Sequence, residues 1–247
     1  MNNVWIRKNK KFEDSMTFTS KIFCLPYAGG GASIYYNWQQ YFCKFKIKVC
    51  PVVLPGREDR MFEPLVDNAK TLAWQIYEGI KSELNTPFYI FGHSMGGVLA
   101  YELTKVIYQE EKKLPKILFM SATSLELRNK DFTVYTMSDE ELINHISKNG
   151  ATDAELLNQP LFRDFYINII RNDYKLSETY ISDNYKIPSK VCVFLSKEDD
   201  IVSNEKSFKL KNIADNIEFS WFKGGHFFIN SCQQNVCNRI ISAIASA

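Results

Sequence analysis

The 247-residue sequence has little excess charge, few histidines and no long apolar run. Its 30 Lys and Arg face 28 Asp and Glu, for a net charge of +2. A chain so balanced is not built as a dedicated nucleic-acid binder. No stretch approaches 18 consecutive apolar residues, so no membrane-spanning helix is expected. Met1 to Phe12 is polar and basic and has no apolar core, so no secretory signal is expected and a cytoplasmic location is. Among the six cysteines, Cys24, Cys43, Cys50, Cys192, Cys232 and Cys237, no pair has Cys-x-x-Cys spacing. That excludes the usual zinc and thioredoxin-like patterns, and no metal or cofactor is expected. Cys24 and Cys192 sit inside apolar runs and read as buried core thiols. No internal repeat or low-complexity tract occurs, and the chain is expected to act as a monomer. What is present is ordinary for a globular protein: 45% hydrophobic, 23% charged and 14% aromatic residues. A chain this long buries roughly 70–75% of its unfolded surface and needs no disulfide to hold a core.

Short apolar runs alternate with helix-like segments. Lys21–Leu25, Phe45–Leu54, Phe88–Phe91, Lys116–Met120, Val191–Leu195 and Ile217–Phe222 read as strands. Between them, Leu72, Ile76, Ile80 and Leu84 recur at steps of four, which predicts a helix within Leu65–Leu84. Val98–Tyr108 and Asn235–Ala245 read as further helices. Strands separated by helices imply an α/β fold with a mostly parallel sheet covered on both faces. The stretch between Met120 and Val191 breaks this rhythm. It holds helix-like segments at Asp139–Lys148, Asp153–Asn158 and Leu161–Tyr174 and no strand, although one crossover needs far fewer residues. It is read as a helical lid of about residues 126–186 inserted in a single domain of 1–247, against the alternative of an extra helical layer. Its apolar set, Leu156, Leu157, Leu161, Phe162, Phe165, Tyr166, Ile169 and Ile170, either walls a pocket or packs the lid on the body.

Gly92-His93-Ser94-Met95-Gly96-Gly97 lies between the Phe88–Phe91 strand and the following helix. This is a Gly-x-Ser-x-Gly nucleophile elbow in its confirming context. The strand-to-helix turn is so tight that only glycine fits two residues before and two after the serine. A serine hydroxyl needs a base, and the base an orienting acid, in the chain order Ser, acid, His. Of three histidines, His93 adjoins the nucleophile and is expected to point away from it. His145 lies in the lid, and His226 follows the last strand in Lys223-Gly224-Gly225-His226-Phe227-Phe228. His226 is therefore the candidate base. The acid is sought in Ser196-Lys197-Glu198-Asp199-Asp200-Ile201-Val202, where Asp199 fits the spacing best and Asp200 is the alternative. An oxyanion hole needs two donors. The N–H of Met95 is one, and the N–H of Ala28 or Gly29, in Leu25-Pro26-Tyr27-Ala28-Gly29-Gly30-Gly31, is the other. This glycine run lacks a Walker-type Gly-Lys-Ser/Thr ending, so it is not read as a nucleotide cradle. These residues give acyl transfer to water. They do not separate thioesterase from esterase, lipase, amidase or peptidase.

Four segments occur in order: Leu25-Pro26-Tyr27-Ala28-Gly29-Gly30, Leu54-Pro55-Gly56-Arg57-Glu58-Asp59-Arg60, Phe91-Gly92-His93-Ser94-Met95-Gly96-Gly97 and Gly224-Gly225-His226-Phe227-Phe228. Together they resemble the type II thioesterases that accompany nonribosomal peptide and polyketide synthases, over about residues 20 to 240. The resemblance implies an α/β-hydrolase fold. It also implies Ser94, Asp199 and His226 as the triad, with the N–H groups of Ala28 and Met95 as the oxyanion hole. The implied activity is removal of stalled acyl groups from the phosphopantetheine arm of acyl or peptidyl carrier proteins. A chain-releasing carrier-protein thioesterase or a small-molecule esterase shares the motifs, and a non-catalytic binding protein of this fold would not need the intact triad. The family's acid motif often begins with Gly, where Ser196 stands here. Lys8, Lys10, Lys11, Arg57, Arg60, Lys112 and Lys113 are basic positions that either meet an acidic carrier or are simply solvated.

Overall fold

The computed structural model describes residues 3–9, 16–126, 133–148 and 160–246. Six strands, β1 (Ser20–Leu25), β2 (Ile47–Pro51), β3 (Phe88–His93), β4 (Ile117–Ser121), β5 (Lys190–Ser196) and β6 (Ile217–Phe222), form one sheet in the order β2-β1-β3-β4-β5-β6. Every pairing is parallel. The α/β sheet expected from the alternating runs is present, and each expected run coincides with a strand. The longest, Phe45–Leu54, is trimmed at both ends. Phe45 closes a short 3-10 turn, and past Pro51 the chain leaves the ladder, with Val52 bridging antiparallel to Ile6.

The strands read as continuous apolar runs because both faces of the sheet are covered. The side-chain period of two then divides each run. Phe23 and Leu25, Ile90, Leu118 and Met120, and Val191, Val193 and Leu195 enter one core. Ile22 and Cys24, Tyr89 and Phe91, Ile117 and Phe119, and Cys192 and Phe194 enter the other. Helices α1 (Ala69–Ile80) and α2 (Met95–Glu111) cover the first face. Helix α1 buries Leu72, Ala73, Ile76, Tyr77 and Ile80, the three-and-four spacing of an amphipathic helix. It begins later than its periodic pattern because Asn68 caps it, accepting the N–H of Thr71 at 3.0 Å. The second face is dominated by rings: Trp38 and Tyr35 meet Phe91, and Phe194 meets Phe91, Phe119 and Phe222. Each fully buried ring contributes on the order of 1.5–3 kcal/mol. The last long helix, packed on this face, buries Val236, Cys237 and Ile240.

Between β4 and β5, α3 (Asp139–Lys148) matches its expected range and α4 (Pro160–Glu178) runs longer than Leu161–Tyr174. The expected segment at Asp153–Asn158, with Leu156 and Leu157, lies outside the described residues. This insertion has a core of its own, built from Val134, Leu142, Ile146, Ile167, Ile170 and Tyr174. Glu178 ties its two ends together, accepting the N–H groups of Val134 and Tyr135 at 3.1 and 3.2 Å. Among the described residues no helix is long and apolar enough to cross a membrane.

The order β2-β1-β3 reverses direction beside β1. The loops after β1, β3, β5 and β6 all leave from the carboxyl edge of the sheet. That edge, near such a reversal, is where open parallel sheets bind ligands.

Candidate active site

A single residue, Ser94, links β3 to α2. Ser94 sits at φ 55°, ψ −118°, an uncommon backbone state for a non-glycine residue. Such a state costs on the order of 1–3 kcal/mol and persists only where neighbours over-determine it. Here the Ser94 N–H donates to Ser121 O at 2.8 Å, and Thr123 Oγ1 donates to Ser94 O at 2.8 Å. A Cβ on Gly92 would stand 1.9 Å from Gly96 O, the crowding expected across the elbow. One on Gly96 would strike Leu25 O of β1 at 2.2 Å, so this glycine answers to the neighbouring strand rather than to Gly92.

His226 and Asp199 come together from two different loops. Asp199 Oδ2 and Oδ1 lie 2.9 and 3.0 Å from His226 Nδ1, with both side chains almost fully buried. Asp199 Oδ1 also accepts the N–H groups of Ile201 (3.0 Å) and Val202 (2.9 Å), which fix the carboxylate in its turn. Asp200 is exposed and lines the larger cavity instead. Ser196 holds the two loops to each other: its Oγ donates to Gly224 O and accepts the Glu198 N–H at 3.1 Å. A glycine in that place could not make this link.

Ser94 opens on two cavities. The smaller, of about 20 Å³, is lined by Ser94, His226, Ala28, Tyr27, Tyr174 and Ser177, among others. The larger, of about 230 Å³, runs from Ser94 and Met95 past Ser177 and Tyr180 to Asp200, Ser203 and Lys206. Of the apolar insertion residues marked in the sequence, Phe165, Tyr166, Ile169 and Ile170 line neither. Ile170 packs in the insertion's own core, and the walls come from Ile146, Tyr174, Ser177 and Tyr180. The two oxyanion candidates after β1 differ in one respect. The Gly29 N–H is already spent on Asp173 Oδ2 at 2.8 Å, whereas that of Ala28 takes no acceptor among the described residues.

Arg57 and Arg60 are buried and cannot serve as surface charge. Arg60 reaches Val53 O and Glu63 and lies over the Trp5 ring, while Arg57 pairs with Asp173. Lys10 and Lys11 lie outside the described residues, and Lys112 ends α2 on the surface. Periodicity gave no sign of Asp173, a single acid in a helix pattern.

His145 belongs to α3, where its ring meets Tyr174. His93 is fully buried, and its Nδ1 lies 2.9 Å from Ser121 Oγ. Its ring sits 5.3 Å from that of His226 and is packed by Tyr27, Phe227 and Phe228. Burial, helped by the neighbouring His226, pushes its pKa well below the ordinary imidazole value of about 6.5. His93 is thus neutral in the fold. In the unfolded chain it takes up a proton as pH falls below about 6.5. The unfolded state then binds more protons than the folded one, and stability is lost as pH falls. Denaturant unfolding between pH 7 and pH 5 should therefore show wild type losing stability more steeply than His93→Asn, by up to about 1.4 kcal/mol per pH unit. Equal slopes would contradict the burial of a neutral His93.

Residues 20–244 match the Thioesterase domain family. The chain is 31% identical over 217 residues to the gramicidin S biosynthesis protein GrsT of Aneurinibacillus migulanus, covering 85% of this chain and 82% of that protein. It is 26% identical to the thioesterase PikA5 of Streptomyces venezuelae, over 96% of this chain and 84% of that one. Among solved structures, the type II thioesterase BorB from the borrelidin biosynthetic cluster superposes with a TM-score of 0.85 at 25% identity, covering 97% of each chain. The chain belongs to the thioesterase domain family, among the type II thioesterases of nonribosomal peptide and polyketide biosynthesis.

Proposed function

We propose that this thioesterase clears acyl groups from the phosphopantetheine arm of acyl or peptidyl carrier proteins, with Ser94 as nucleophile, His226 as base and Asp199 as its orienting acid. The observation that carries this reading is the buried His226–Asp199 pair, at 2.9 Å, on a cavity wall shared with Ser94. A carboxylate on Nδ1 holds the proton there and leaves Nε2 bare to take the serine proton. The Ser94 oxygen attacks the thioester carbonyl, and its proton passes to His226. The oxyanion is received by the N–H groups of Ala28 and Met95. Collapse breaks the C–S bond, and the thiol departs with the proton held by His226. Water then repeats the sequence on the serine ester, frees the acid and restores Ser94.

The larger cavity takes the acyl chain, and the insertion of about residues 126–186 acts as a lid on a single domain, since Tyr174 and Ser177 of that segment wall the smaller cavity and Ser177 and Tyr180 the larger. Six free cysteines suit a cytoplasmic, reducing setting.

Asp199→Asn should lower kcat by roughly 10⁴, because Asn can neither hold the tautomer nor stabilise the imidazolium. Asp200→Asn should leave kcat within a few-fold. A larger loss at Asp200 would overturn the assignment of the acid. For the partner, kcat/KM should be higher for an acyl-carrier protein than for the same acyl group on coenzyme A. That advantage should shrink as salt is raised, since rim charges act chiefly on the association rate. Equal kcat/KM at low salt would instead favour a small-molecule thioesterase or esterase.

A further inference from the structure

The Pro55-Gly56-Arg57 element takes no part in the proton relay, yet it ends against the glycine turn that follows β1. Tyr27 to Gly30 forms a four-residue turn closed by Gly30 N–H on Tyr27 O at 2.8 Å. Gly29 has φ +76° and Ala28 has no positive φ, the pattern of a type II turn. Types I and II differ by a flip of the central peptide, here Ala28–Gly29. Groups outside the turn hold that peptide and the next two. Asp173 Oδ2 accepts the Gly29 N–H at 2.8 Å, Tyr166 donates its hydroxyl to Gly29 O at 2.8 Å, and Arg57 Nη1 donates to Gly30 O at 3.0 Å. Arg57 and Asp173 are themselves joined as a fork, Nη1 to Oδ2 at 2.7 Å and Nη2 to Oδ1 at 2.8 Å. Their side chains are 6% and 1% exposed.

A buried ion pair is often no more stabilising than an apolar pair of similar volume, so fold stability alone is a weak reason for this one. Its geometry gives a stronger reason. The pair takes up the Gly29 N–H and the Gly30 O of the turn, while the N–H of Ala28, a residue on the wall of the Ser94–His226 cavity, meets no acceptor among the described residues. We propose that Arg57 and Asp173 are positioning residues that lock this turn so that the Ala28 N–H serves the oxyanion. Asp173 and Tyr166 both lie on α4, so seating the β4–β5 insertion and completing the oxyanion site are one event. This inference rests on the reading of Ser94 as nucleophile.

The test is the double variant Arg57→Met/Asp173→Leu, which removes both charges together and leaves neither buried alone. It should melt cooperatively. Its kcat should fall about 10²-fold with KM little changed, the scale of one misplaced oxyanion donor. Its affinity for a trifluoromethyl ketone analogue, which forms an oxyanion on serine, should fall in parallel. Affinity for a non-hydrolysable thioether analogue should stay at the wild-type level. If the double variant does not fold, Asp173→Asn, equal in size, should show the same kcat and ketone losses at about 10-fold or more. A folded variant with wild-type kcat and wild-type ketone affinity would overturn the proposal. Ser94→Ala in the same assays separates the two levels. Turnover surviving in Ser94→Ala sinks the nucleophile reading itself. An inactive Ser94→Ala beside a fully active double variant sinks only the positioning role.

Discussion

The whole site depends on how closely the end of β3 approaches the start of α2. At Gly92 the backbone passes so near the carbonyl of Gly96 that no side chain fits, and one residue on the other side Leu25 O presses on Gly96. That contact forces Ser94 into its strained backbone state and lifts its hydroxyl above the sheet edge. The strain is borne by deeply buried elements. Strand β3 is buried along its length, and α2 is buried through most of its own.

Around this point the other groups arrive on loops that are tied to one another. The loops that carry Asp199 and His226 leave adjacent parallel strands, β5 and β6, and Ser196 fastens one to the other. The turn after β1 is fastened to the insertion by Asp173 and Tyr166, and to the Pro-Gly-Arg loop by Arg57. His93 fills the space beneath, a neutral buried ring under the imidazole of His226. A parallel sheet brings these loops to one edge without further design, because every strand ends there. The four segments that resemble type II thioesterases lie after β1 and β2, at the end of β3 and after β6, and the loop after β5 adds Asp199 to the same edge.

Much of this was legible in the sequence because the relevant signals are local. The strands announce themselves as apolar runs, and the elbow is fixed by glycines within five residues of chain. His226 stood out as the candidate base because histidine is scarce, and its ring lies 2.9 Å from Asp199 Oδ2. Asp199 and Asp200 differ only in which of two adjacent side chains turns inward, and that depends on the Ile201 and Val202 N–H groups capturing one of them. The Arg57–Asp173 pair spans 116 residues and joins a loop to a helix, so no window of sequence contains it. The apolar residues of α4 left two readings open for a related reason. Periodicity shows that a face is buried but not against what, and Ile170 packs within the insertion instead of on the cavity wall.

The central claim is that hydrolysis passes through an ester on Ser94. Rapid quenching of the enzyme with an acyl-carrier thioester, followed by mass spectrometry of the peptides, tests this directly. The account predicts a transient mass increase equal to the acyl group, on the peptide that carries Ser94, appearing and decaying at rates that match turnover. Turnover with no such adduct, or with the acyl group on another residue, would contradict it.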